Sequence, residues 1–233
     1  MNIKIFRKGL RDGIPIAMGY LAVAFTIGIA AGNINMNAFQ GFLMSFGMLA
    51  SAGEYAAVLL IGSAAGVLEM IATTFVINLR YFLMSCSLSQ KLSPKEPMWK
   101  RMLLAWFVTD ELFGISSACE GRLDPVYTYG AAIVSVTGWC LGTVLGIVAG
   151  DILPVRLASA MSVALYGMFL AIIIPPARKS IFMAALVTVS MASSFIFSEV
   201  PVLSDISEGF RIIILTVVIA GTAAFIRPAG EDG

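Results

Sequence analysis

Eight apolar stretches, joined by short polar connections, decide what this 233-residue chain can fold into. They lie near residues 14–32, 38–61, 64–88, 101–118, 127–149, 157–175, 181–198 and 211–226. A helix needs about 20 residues to cross the hydrocarbon of a bilayer, and several of these runs approach or exceed that. Soluble helices alternate an apolar with a polar face, whereas these runs are apolar all round. Composition agrees: 59% of residues are hydrophobic and 12% charged, against about 25% charged in a soluble domain. The expected fold is an all-α integral membrane protein, a polytopic bundle of about eight transmembrane helices. No connection is long enough for a soluble domain, so residues 1–233 are expected to form one transmembrane domain with short tails.

Several function classes are excluded by what is missing. The net charge is +1 and no basic patch is interleaved with aromatics, so nucleic acid is not an expected partner. Without any His, the commonest metal ligand and general base is gone. Cys86, Cys119 and Cys140 are widely spaced, with no CxxC pair, and read as small apolar residues inside the bundle. The GxxxxGK[ST] phosphate loop, HExxH and GxSxG are all lacking, and so is a potassium-channel filter sequence. No catalytic residue, metal or cofactor is expected, and the chain is not expected to be an enzyme.

Lys4, Arg7, Lys8 and Arg11 precede the first apolar run like the basic region of a signal peptide, but the run is too long for one. It is expected to be an uncleaved first helix. Lys and Arg in short loops favour the cytoplasmic side. With the N-terminus inside and eight crossings, Arg122, Arg178, Lys179 and Arg227 fall inside, and the loop with Glu199, Asp205 and Glu208 falls outside. The loop with Lys91, Lys95, Lys100 and Arg101 disagrees. Making residues 38–53 a re-entrant hairpin repairs that loop but reverses Arg178 and Lys179.

Function is expected where the membrane rule is broken, since an ionisable side chain at the bilayer centre costs about 2.5–3.5 kcal/mol. Arg80, in Asn78-Leu79-Arg80, lies eight residues from the end of the third segment, roughly 12 Å deep at ~1.5 Å per residue. Asp110 and Glu111, in Thr109-Asp110-Glu111, lie about nine residues into the fourth. The two segments are joined by one loop and run antiparallel, so these charges meet at similar depth. Either a structural ion pair or a pair bordering a solute path would satisfy the pattern. The second segment holds Gly47, Ser51 and Gly53 just before Glu54 and Tyr55. Glycine weakens a helix by up to ~1 kcal/mol, so a broken or re-entrant helix is expected there, with Glu54 turned inward. Broken helices in transporters hold the ends of a substrate with freed backbone groups. A helix N-terminus near Gly53 suits a carboxylate, which leaves Glu54 as a proton carrier. Pro15 is expected at the start of the first helix, and Pro175-Pro176 at the end of the sixth.

Gly138, Gly142, Gly146 and Gly150 recur at spacing four and line one face of the fifth segment. A face without side chains lets another backbone come close, either within the chain or from a partner.

These residues together resemble the AzlC family, the large subunit of branched-chain amino acid exporters, which includes the YgaZ-type proteins. The similar features are Gly9-Leu10-Arg11-Asp12-Gly13-Ile14-Pro15, Ser51–Tyr55, Asn78-Leu79-Arg80, Thr109-Asp110-Glu111 and Ala164-Leu165-Tyr166-Gly167-Met168-Phe169-Leu170. Family members usually have Gln-Phe where this chain has Glu54-Tyr55. The resemblance implies a multi-pass protein of the cell membrane. It implies export of leucine, isoleucine, valine and sometimes methionine against proton entry, with a small membrane subunit of the AzlD type. The glycine face of the fifth helix would be a docking surface for that subunit. Gly53, Glu54, Tyr55, Asn78, Arg80, Thr109, Asp110 and Glu111 are then expected along the solute path, with Glu54, Asp110 or Glu111 coupling to protons. The competing expectation is a channel-like or scaffold subunit without coupled transport, whose charges serve assembly.

Overall fold

The computed structural model describes residues 3–150, 180–200 and 206–226, together with positions 170, 173, 174, 177 and 178. Most of the expected sixth segment, Pro175-Pro176, Lys179, Asp205 and Arg227 therefore lie outside the described residues, as does most of Ala164–Leu170. The described residues form nine α-helices: α1 (Ile3–Asn33), α2 (Ala38–Met48), α3 (Ser51–Gly62), α4 (Val67–Lys91), α5 (Met98–Trp106), α6 (Asp110–Ser117), α7 (Pro125–Gly150), α8 (Ile181–Glu199) and α9 (Glu208–Ile226). Their only extended pairing is an isolated bridge between Leu92 and Leu123. Five helices (α1, α4, α7, α8 and α9) are long and apolar enough to cross a membrane.

Three elements differ from the sequence expectation. α1 begins at Ile3, so the basic residues are helical and Pro15 sits inside the helix rather than at its start. The second segment is broken, as expected, but the break is at Leu49 and Ala50 and not at a glycine. Leu49 takes the left-handed conformation (φ 47°, ψ 37°) and its N–H bonds to Ser45 O at 3.2 Å. Gly47 and Gly53 lie within α2 and α3. The fourth segment is interrupted as well. α5 ends in a tight turn with Phe107 N–H on Leu104 O at 3.1 Å. α6 then starts afresh on Thr109, whose side chain accepts from Leu112 N–H. Asp110 and Glu111 occupy the first turn of α6, where negative charge suits the helix dipole.

By contact density the chain divides into two compact units, residues 1–55 with 78–162 and residues 56–77 with 163–233. In the first, α1 and α7 run side by side and parallel. A β-carbon at Gly13 would lie 2.7 Å from Ala131 O, at Gly138 2.5 Å from Ala17 O, and at Gly142 2.6 Å from Leu21 O. Gly28 meets Thr143, Gly146 and Ile147 in the same way. The glycine face of α7 is thus filled by α1 and is not free for a partner. In lipid, where hydrophobicity does not hold helices together, van der Waals packing and close backbone approach drive such a contact.

One end of this unit gathers five termini. Asp12 accepts from Tyr127 OH at 2.8 Å, joining early α1 to the start of α7. Lys91 ends α4; its O accepts from Leu123 N–H at 2.9 Å and its Nζ donates to Cys119 O at 2.6 Å and to Ser117 O, just after α6. Tyr129 OH donates to Lys100 O at 2.7 Å, at the start of α5. Buried Leu88, Leu92, Leu104, Val108, Leu123 and Tyr127 pack together beneath these ties. α5 and α6 therefore leave from and return to the same end. α2 starts at the other end, where Gly41 meets Ile147 and Thr143. In the second unit, Glu69 of α4 accepts from Gly209 N–H at 3.1 Å and from Ser207, and so caps the first turn of α9.

Candidate functional site

The two helix breaks place two helix N-termini, each carrying carboxylates, partway along α1 and α7. At the first, Glu54 is fully buried. Its Oε2 accepts from Trp139 Nε1–H at 2.7 Å, and Ser45 Oγ lies against its Oε1. Ser45 Oγ is 2.6 Å from Thr143 Oγ1, which in turn is 3.4 Å from Trp139 O. Among the described residues no Lys or Arg comes within ion-pair range of Glu54. The hydroxyls serve both protonation states. When the carboxylate is charged, Ser45 donates to it. When Glu54 carries a proton, the order reverses: Glu54 donates to Ser45, Ser45 to Thr143 and Thr143 to Trp139 O. A buried carboxylate with reversible donors can hold or release a proton without leaving an orphaned group.

The second N-terminus is open. Arg80 Nη1 lies 2.8 Å from Asp110 Oδ2, the pairing the sequence predicts, and the two side chains are 39% and 41% exposed. Glu111 does not share that partner. It takes the hydroxyl of Tyr20 at 2.5 Å, and the same hydroxyl is 2.6 Å from Thr109 Oγ1. Arg80 also donates to Tyr81 OH at 3.0 Å and stands 4.9 Å from that ring's centre.

Asn78 links the two parts. A β-carbon at Gly53 would lie 2.9 Å from both Asn78 Oδ1 and Asn78 Nδ2, so glycine lets this amide lie directly on the α3 backbone. Two buried polar atoms here have no partner: Asn78 Oδ1, an acceptor, and Arg80 Nε, a donor. Unsatisfied buried groups are uncommon and call for an explanation. An amino acid zwitterion supplies the complement, an ammonium for the acceptor and a carboxylate for the donor.

Of the residues singled out from sequence, Gly53, Glu54, Asn78, Arg80, Thr109, Asp110 and Glu111 gather in this region of the first unit; Tyr55 follows Glu54 in α3. Gly138, Gly142 and Gly146 serve the α1–α7 contact instead, and Gly150 sits at its edge with Ile29. Four residues were not legible as site residues: Tyr20, Ser45, Trp139 and Thr143. The signal for two of them was present, since a phenol or indole inside an apolar run needs a partner for its O–H or N–H. No group of three or more metal-ligating residues occurs among the described residues.

Interrupted helices around a buried carboxylate and an open charge cluster, with several apolar spans and only helices as regular elements among the described residues, define a polytopic membrane protein with a polar interior site. Its family follows from comparison: the AzlC protein family matches residues 15–153, more than half of the chain, and the chain belongs to that family. An uncharacterized membrane protein of Archaeoglobus fulgidus is 31% identical over 173 residues, 73% of this chain and 75% of its own length. Inner membrane protein YgaZ of Escherichia coli is 25% identical over 150 residues, and the match spans 63% of this chain and 61% of YgaZ. An uncharacterized membrane protein of Helicobacter pylori is 22% identical over 152 residues, or 64% of this chain and 66% of its own. No solved structure matches the chain.

Proposed function

We propose that the chain is a secondary transporter that exports branched-chain amino acids from the cell against proton entry, by alternating access with a small membrane subunit. The unpaired acceptor and donor at Asn78 and Arg80 carry the reading, because a zwitterion satisfies both, whereas a simple ion of either sign satisfies one and leaves the other unpaired. Asp110 and Glu111 offer negative charge for the ammonium, and the α3 N-terminus at Gly53 offers backbone N–H groups for the carboxylate. Sealed Glu54 takes and releases the proton. Membership in the AzlC family supports the solute class, the second subunit and a place in the cell membrane. In this scheme only protons change hands and the solute leaves chemically unaltered, which is why we read the protein as a transporter and not as an enzyme.

The membrane path in this scheme has α5–α6 entering and leaving at one face. α4 spans about 37 Å at ~1.5 Å per residue and ends at that face, so it starts at the other. α2–α3, which begins at the other face and hands over to α4 there, is then the opposing re-entrant hairpin. Lys91, Lys95, Lys100, Arg101 and Arg122 now join the basic start of α1 on one face, as the positive-inside rule asks. With the later apolar segments kept as crossings, Arg178 stays on that face too. The eight segments become six crossings and two hairpins.

The test is flux of labelled leucine in proteoliposomes, with and without the small subunit and a pH gradient. Leucine movement that needs both supports the exporter; an ion leak indifferent to the gradient establishes a channel instead. Glu54→Gln sharpens the test. The amide still accepts from Trp139 and donates to Ser45, so leucine counterflow is expected to stay within about threefold of the parent, with ΔΔG below ~1 kcal/mol. Gradient-driven accumulation is expected to vanish, and full retention would transfer the proton to Asp110 or Glu111.

A further inference from the structure

Glu54 and Glu111 belong to different interrupted helices, 57 positions apart in the chain, yet three contacts connect them. Trp139 Nε1–H donates to Glu54 Oε2 at 2.7 Å. The Trp139 ring meets Tyr20 edge-on, with centroids 5.2 Å apart and planes at 75°. The Tyr20 hydroxyl sits 2.5 Å from Glu111 Oε2 and 2.6 Å from Thr109 Oγ1. A phenol has a single proton to give. While Glu111 is free, its charge takes that proton, and Thr109 Oγ1 keeps only the Leu112 N–H that it accepts. When a cationic group occupies Glu111, the carboxylate is a weaker acceptor and the phenol proton turns toward Thr109. Edge-to-face packing depends on the angle and separation of the rings, so a shift of Tyr20 is felt by the indole, and the indole holds Glu54.

We propose that Tyr20 and Trp139 are positioning residues that couple occupancy of Glu111 to the proton carried by Glu54. This inference rests on the transport reading above for its biological use, but the coupling is a property of the chain alone. The surroundings contain few competing groups. Glu54 faces Ser45 from α2 and Thr143, Trp139 and Cys140 from α7. Glu111 faces Tyr20 from α1 and, through space, Asp110 on its own helix and Tyr81 of α4; Arg80 of α4 is paired with Asp110. The aromatic pair is the described contact path from one set to the other.

The chain has three tryptophans, Trp99, Trp106 and Trp139, which makes the coupling measurable without a transported solute. With Trp99→Phe and Trp106→Phe, the emission of Trp139 in purified protein is expected to titrate with pH, and Glu54→Gln should flatten that titration. Glu111→Gln is expected to move the midpoint by about half a pH unit or more, roughly threefold in proton affinity. In a Tyr20→Phe background, which keeps the ring and removes the hydroxyl, the same Glu111→Gln change should move it by less than half as much. A flat titration in the parent, or an equal shift in both backgrounds, overturns the coupling. Leucine counterflow of the parent decides the transport reading separately, so failure of one leaves the other standing.

Discussion

The Arg80–Asp110 pair shows how a single costly residue fixes its neighbours. Each side chain is about two-fifths exposed, so the pair is worth the upper end of an accessible ion pair, ~1 kcal/mol, and not the several kcal/mol of a sealed one. Removing Arg80 has a second effect, because Asp110 stays behind at a helix N-terminus beside Glu111. Arg80→Ala is therefore expected to lower folded yield in detergent by about fivefold, the equivalent of ~1 kcal/mol. The swap Arg80→Asp with Asp110→Arg should recover about half of that loss. It cannot recover all, since Arg at the first turn of α6 opposes the helix dipole and the Tyr81 ring loses its cation. Equal yields for the single and double variants would dismiss the pairing as a contributor to stability. The pair was legible in the sequence because an unpaired charge inside an apolar run is conspicuous. The contact between Tyr20 and Glu111, 91 positions apart, was not, because a phenol in an apolar run announces that it needs a partner without saying which.

Among elements, glycine spacing and glycine placement carry different information. The spacing-four run in α7 is a packing surface, and the structure shows its occupant to be α1. Gly138→Leu is expected to part the two helices, since even a β-carbon there would come within 2.5 Å of a backbone carbonyl. Overpacking of this kind costs about 1–3 kcal/mol and more where backbone has to move. Gly47→Ala meets nothing within 4 Å and should stabilise α2 by up to ~1 kcal/mol. Thermal unfolding in detergent distinguishes the two; a neutral Gly138→Leu would mean that α1 and α7 are not in contact. Glycines near Glu54 suggested the right helix for a break and the wrong residue. The left-handed residue is Leu49, and nothing about a leucine announces that conformation, which costs roughly 1–2 kcal/mol and is held by its surroundings. The break before α6 did have a signal. Thr109 followed by Asp110 and Glu111 is an N-cap with an acidic first turn, but continuous hydropathy across residues 101–118 hid it.

For the whole molecule, the path proposed through the two breaks has fewer crossings than eight continuous segments would, and the difference is open to direct measurement. The contacts of Lys91 with Ser117, Cys119 and Leu123 hold the end of α4, the end of α6 and the start of α7 together. Eight full crossings would instead put the loop after α4 and the loop after α6 on opposite faces, at least 30 Å apart across the hydrocarbon. The two arrangements cannot both hold. In a background with Cys86, Cys119 and Cys140 replaced by Ser, single cysteines at Lys95 and Glu120 are expected to react with a membrane-impermeant maleimide from the same face as one at Lys4. Asn35→Cys, in the turn between α1 and α2, should react only from the opposite face. Labelling Lys95→Cys and Glu120→Cys from opposite faces would restore eight crossings and remove the re-entrant path through α5 and α6. Agreement would leave each bilayer face feeding one helix N-terminus, with Glu54 behind one and Asp110 and Glu111 behind the other, so that two opposed entrances converge on the residues that hold Asn78 and Arg80.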